Sequence, residues 1–168
     1  MPKAATTATP AITLLRRQGV AHHVHPYELP AGHGRERDER PDYGLEAAAA
    51  LGVAPDRLFK TLVIVVDGRP AVAVVPVDRQ LDPKRFASAL GGRRAELADP
   101  AVAERAAGSV VGGISPLAMR RPLPTVIDAS ALTHATVFVS AGRRGLQVEL
   151  APADLVTLTK AQVAAIGR

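Results

Sequence analysis

Residues 59–77 read FKTLVIVVDGRPAVAVVPV, two β-branched runs on either side of Asp67-Gly68. That dipeptide tolerates the positive φ angles a two-residue hairpin turn demands, so Phe59–Val66 and Ala71–Val77 are expected to pair as antiparallel strands. Leu62–Val66 is apolar at every position, the pattern of a strand covered on both faces. Period-two alternation places Lys60 on the face of Leu62, Ile64 and Val66. A lysine there must snorkel out, meet an anion, or sit in a pocket.

Working outward, Thr9 is a candidate N-cap with Pro10 at the first helical position, and Gly19 is placed to stop that helix. Val20–Tyr27 is expected to be a strand. Leu29–Asp42 has alternating charges and two glycines, and reads as a mobile insertion. Glu46–Leu51 predicts a short helix ended by Gly52. Asp82-Pro83 and Asp99-Pro100 each set an N-cap before proline and predict two further helices, with a short strand over Arg93–Leu97 between them. Strands are expected at Thr125–Asp128, Thr136–Ser140 and Leu146–Leu150. Pro152 opens another helix, and Thr159 with Gln162 forms a capping-box pattern that predicts a last one. Strands and helices mix without regular βαβ alternation, which predicts an α+β domain over residues 9–168 behind a flexible tail, 1–8.

Composition narrows the chemistry. With 47% hydrophobic and 22% charged residues in a chain of 168, an ordinary globular domain is expected. The absence of cysteine excludes disulfides, thiolate metal sites and a cysteine nucleophile. Met1–Thr9 has no apolar signal region, and no apolar run is long enough to span a bilayer, so the expected location is the cytoplasm with no membrane partner. A net charge of +5 is compatible with a polyanionic partner but identifies none.

Few motifs carry chemistry. None of the five serines lies in a G-x-S-x-G elbow, and neither a P-loop nor a dinucleotide fingerprint occurs, so no cofactor is expected. His23 and His25 share a strand face, but acidic partners at metal-ligand spacing are missing, and no metal is expected. Gly112-Gly113-Ile114-Ser115-Pro116 could expose backbone N–H groups to a carbonyl oxygen, or simply turn the chain. Ser140-Ala141-Gly142-Arg143-Arg144-Gly145 offers two arginines that could meet phosphate, or form a solvated hairpin tip.

These segments occur in an order that resembles a known family. Thr9-Pro10-Ala11, His25-Pro26-Tyr27-Glu28, Phe59-Lys60-Thr61-Leu62, Leu97-Ala98-Asp99-Pro100, Val111 to Leu117, Leu123 to Asp128 and Gly145 to Leu150 together resemble the YbaK/EbsC family of Cys-tRNA(Pro) deacylases, relatives of the prolyl-tRNA synthetase editing domain. The resemblance implies a mixed, barrel-like sheet flanked by helices. It implies that Lys60, Gly112 and Gly113 carry catalysis. It further implies that Tyr27, Tyr43, Ile114, Ser115, Pro116, Ser140, Gly142 and Gln147 line the substrate pocket. Relatives often have aspartate where this chain has Gln147.

The activity implied is removal of cysteine from mischarged Cys-tRNA(Pro), the cysteine thiol attacking its own ester. Hydrolysis of Ala-tRNA(Pro) or another mischarged tRNA, or an inactive tRNA- or synthetase-binding module, are the alternatives. The implied partners are aminoacyl-tRNA(Pro) and, transiently, prolyl-tRNA synthetase, with the chain itself a monomer.

Overall fold

Val66 and Arg69 pair directly across Asp67 (φ 48°) and Gly68 (φ 83°), so the hairpin closes with the two positive-φ residues its turn requires. It joins β2 (Phe59–Val66) to β3 (Arg69–Pro76) at the centre of the structure, a computed structural model that describes residues 8–28 and 42–168. Residues 1–7 of the expected tail and residues 29–41 of the expected insertion lie outside the described residues.

Around the hairpin a five-stranded mixed sheet is built. β4 (Ala95–Leu97) pairs antiparallel with the end of β2, while β5 (Thr125–Asp128) and β8 (Gln162–Ala164) add in parallel beyond β3. A second sheet of three antiparallel strands runs β1 (His22–Pro26), β7 (Leu146–Leu150), β6 (Val137–Arg143). The two meet through a parallel bridge between Leu58 and Phe138. The expected α+β class stands. No closed barrel forms among the described residues: the arrangement is two sheets joined at a corner.

Helices cover the faces. Thr9 caps α1 (Pro10–Arg17) by accepting the Ile12 N–H, and Ile12 and Leu15 enter the main core with Phe59, Ile127, Val139 and Val148. Phe86 of α3 (Pro83–Ala89) fills the opposite side of the hairpin with Ile64, Val75 and Ile166. α4 (Pro100–Ala107) packs Ala103 and Ala107 on Val63. α2 (Tyr43–Leu51) starts at Tyr43 rather than Glu46, because the Asp42 carboxylate caps it at the Leu45 N–H. A short 3₁₀ turn, Ala129–Thr133, follows β5.

One expectation is overturned. The capping-box pattern at Thr159 and Gln162 does not start a helix. The Thr159 hydroxyl bonds backward to the Leu155 carbonyl at 2.7 Å, inside α5 (Pro152–Thr159). Lys160 then turns left-handed (φ 52°), and Gln162–Ala164 becomes β8. Asp128 secures that ending, since its buried carboxylate accepts the N–H groups of Ile166 and Gly167 at 2.9 Å each.

Candidate active site

The corner between the sheets leaves an opening. One edge of β2 is paired along its whole length by β3. The other edge meets β6 only at Leu58 and β4 only from Ile64, with the Ala98 N–H also bonded to the Val63 carbonyl. Between these neighbours, Lys60, Thr61 and Leu62 have a strand on one side alone. Farther along β6, a β-bulge shifts its register with β7 between Ser140 and Arg143. A cavity of about 600 Å³ fills the gap, a size typical of small-ligand sites.

Both sheets and a loop supply its polar groups. Lys60 lines it, half-buried, and its side chain makes no hydrogen bond or ion pair with any described residue. Thr61 Oγ1 is also buried without a partner. From the second sheet come Ser140 and Gln147, which stand opposite each other across β6 and β7 and therefore share a face. Gln147 is 5% exposed, and its Oε1 has no partner. A buried polar atom left this way costs about 1–3 kcal/mol, which a ligand donor would relieve.

The loop over the cavity is held by close packing. A Cβ on Gly112 would lie 2.8 Å from Tyr43 Cδ2 and 2.9 Å from Arg144 Nε, and one on Gly113 would lie 2.7 Å from the Arg144 backbone nitrogen. The two glycines thus let the loop lie directly on the β6–β7 turn and on Tyr43. Gly113 donates its N–H to the Val110 carbonyl at 2.9 Å, whereas the N–H groups of Gly112 and Ile114, both at the cavity, bond no described residue. Those two are the donors available to a ligand oxygen.

Beside the cavity, on the same face of β7 as Gln147, Glu149 accepts from Thr136 (2.5 Å) and contacts His25 (2.9 Å) and Arg57 (3.5 Å). The Thr136 hydroxyl, aided by His25 and Arg57, holds the Glu149 carboxyl below its usual range against the opposing effect of burial. The guanidinium of Arg57 lies 5.2 Å from the Phe138 ring centre, which braces the corner between the sheets.

The family model of the aminoacyl-tRNA editing domain matches residues 42–158. This chain belongs to that family. The match takes in the strands, loop and turn that build the cavity. The chain is 40% identical over 120 residues to EbsC of Enterococcus faecalis, named for Cys-tRNA(Pro)/Cys-tRNA(Cys) deacylation, covering 71% of this chain and 73% of that protein. It is 40% identical over 74 residues to the proline–tRNA ligase of Nitratidesulfovibrio vulgaris (strain DP4), covering 44% of this chain and 13% of the ligase. A solved structure described as a trans-editing enzyme for prolyl-tRNA synthetase superposes with a TM-score of 0.76 at 25% identity, over 100% of this chain and 99% of that one.

Within this editing-family chain, Lys60, Tyr43, Gly112, Ile114, Ser140 and Gln147 come together at the cavity. The other residues singled out in the sequence lie outside its lining. Gly113 is spent on loop packing. Ser115, 3% exposed, accepts the Leu117 N–H with its hydroxyl, and Pro116 is buried beside it. Gly142 belongs to the β6 bulge and faces Thr9, the cap of α1. Tyr27 packs near Ala47 and Leu58, behind α2. Sequence reasoning missed Thr61. Its signal was a lone uncharged polar residue in an otherwise apolar strand, next to the lysine.

Proposed function

We propose that this chain is a freestanding trans-editing deacylase that removes cysteine from mischarged Cys-tRNA(Pro). One observation carries the reading: a lysine with no counter-ion and two loop residues whose N–H groups have no acceptor, among the described residues, line a single cavity. An aminoacyl ester brings matching features, a carbonyl that becomes an oxyanion on attack and a terminal ribose with its phosphates. Gly112 and Ile114 are suited to receive the oxyanion. Lys60 supplies positive charge for the tRNA end or for a thiolate, and Thr61 and Gln147 orient the aminoacyl group.

The described lining holds no cysteine or histidine, which suits an attacking group carried by the substrate itself. The cysteine thiol gives up its proton and its sulfur bonds to the ester carbonyl carbon. The bond from that carbon to the ribose oxygen then breaks, and the oxygen takes up a proton. The products are a cysteine thiolactone and tRNA with a free terminal hydroxyl. Holding the thiol beside the carbonyl is the protein's main contribution. Alanine and proline have no thiol and cannot take this route. The names of the EbsC relative and of the trans-editing structure support the substrate, and the prolyl ligase relatives support prolyl-tRNA synthetase as a transient partner of a monomeric chain in the cytoplasm.

The test uses purified protein with Cys-, Ala- and Pro-tRNA(Pro), alongside Lys60→Ala. Cysteine should be released fastest, and Lys60→Ala should lose about a hundredfold or more in rate. Faster release of alanine would replace the cysteine reading with a hydrolytic one. No release from any of the three would overturn the enzyme.

A further inference from the structure

We infer that Arg144 binds a backbone phosphate of the substrate's single-stranded 3′ end at the mouth of the cavity; the inference rests on the aminoacyl-tRNA reading above. Arg144 lies in the turn between β6 and β7, with its side chain at the surface. Its guanidinium carbon stands 4.6 Å from the centre of the Tyr43 ring, and its Nε donates to the Val111 carbonyl at 2.8 Å. Together these contacts fix the plane of the group. The terminal amino groups are left with no bond to any described residue.

Comparison with Arg57 shows why this matters. Arg57 is likewise set over an aromatic ring, that of Phe138, but Glu149 answers its charge. Arg79 and Arg85 have carboxylate partners in Asp128 and Asp82. Arg144 is likewise held by a ring and a backbone carbonyl, yet no carboxylate among the described residues faces it. A surface arginine normally keeps its rotamer freedom, and ordering it in advance lowers the entropy lost when an anion binds. Gly112 makes the ordering possible, because a Cβ there would collide with both Tyr43 and Arg144 Nε.

Position selects the anion. Tyr43, Val111 and Gly112 line the cavity, so the guanidinium occupies the outer side of that same wall. With the aminoacyl group inside, the ribose sits at the mouth and its phosphodiester falls outside, where Arg144 is. A planar fork of N–H donors matches two phosphate oxygens better than an ammonium does.

The experiment compares wild type, Arg144→Gln and Arg144→Lys on Cys-tRNA(Pro) and on the cysteinyl ester of adenosine, which has no phosphate. Arg144→Gln is expected to raise KM for the tRNA about tenfold and to flatten the slope of log kcat/KM against log salt by about 0.7, one single-strand phosphate contact. Its loss on the adenosine ester should be several-fold smaller. Arg144→Lys should retain the salt slope while losing part of the affinity. Equal losses on both substrates would overturn the proposal, showing that Arg144 acts only by holding the Val111 loop. An unchanged salt slope would overturn it as well. Wild type inert on both substrates would refute the deacylase reading itself, and the inference with it.

Discussion

Lys60 and Ser140 stand two residues beyond the bridged pair Leu58 and Phe138, on parallel strands that part company there. Had the bridge continued in register, these two would have been the next partners. They are not paired, and the cavity lies in the opening. The opening begins at the corner where Phe138 donates its N–H to the Arg57 carbonyl at 2.9 Å.

Phe138 is buried against Leu58, Ala47 and Val77, so Phe138→Ala should cost about 3–5 kcal/mol of stability. Because the same residue packs where the two sheets meet, kcat/KM should fall even in the fraction that stays folded. Denaturant unfolding and deacylation assays on the same preparation check both. A destabilised variant with unchanged kcat/KM per folded molecule would disprove the link.

Thr61→Val should separate stability from activity. The substitution removes a buried hydroxyl that has no partner and keeps the side chain's shape, so stability should rise by about 1 kcal/mol. Deacylation should slow, since that hydroxyl is available to the bound aminoacyl group. Thermal melting and single-turnover rates would show the opposite changes, and an unaltered rate would remove Thr61 from the site.

The two loop glycines should respond differently to alanine. At Gly113 the new methyl meets the backbone of Arg143 and Arg144, which cannot rotate aside, and the loop must shift at a cost of about 1–3 kcal/mol. At Gly112 it meets Tyr43 and Arg144 side chains, but φ is +90°, so the strain there is in the backbone. Gly112→Ala should therefore also disturb the Arg144–Tyr43 stack, read as a change in salt dependence, whereas Gly113→Ala should act chiefly on stability and kcat.

Asp128 should dominate acid sensitivity at the C-terminus. Burial alone would raise its carboxyl, but the Ser130 hydroxyl and the N–H groups of Gly167, Ile166 and Ser130 outweigh it and hold the pKa below the usual range. A depressed folded pKa contributes stability that is complete above the unfolded value of about 3.9 and is lost as pH falls through the folded value. Asp128→Asn should thus lower stability at neutral pH by about 1.5–3 kcal/mol and flatten the decline below about pH 4. A parallel pH curve for both proteins would contradict this account.

Much of the fold is legible locally. Asp67-Gly68 demands a tight turn, and Pro at the first helical position marks α1, α3, α4 and α5 because its missing N–H is unused there. Gln162–Ala164 was not legible, since a capping-box pattern and an edge strand differ only in what lies alongside. The start of α2 at Tyr43 was not legible either, because the Asp42 carboxylate that accepts the Leu45 N–H decides it.

The sequence by itself determined the central hairpin, the α+β class, the exclusion of cysteine chemistry and the ordered segments that mark an editing domain, with Lys60 at their centre. Each of these depends on backbone preference or residue chemistry that acts over a few positions. Tertiary structure decided that the sheets part beyond Leu58 and Phe138, that Gly113 packs on the protein while the N–H groups of Gly112 and Ile114 bond no described residue, and that buried oxygens of Thr61 and Gln147 have no partner among the described residues. Those facts depend on how residues far apart in the chain approach one another, which no local pattern specifies.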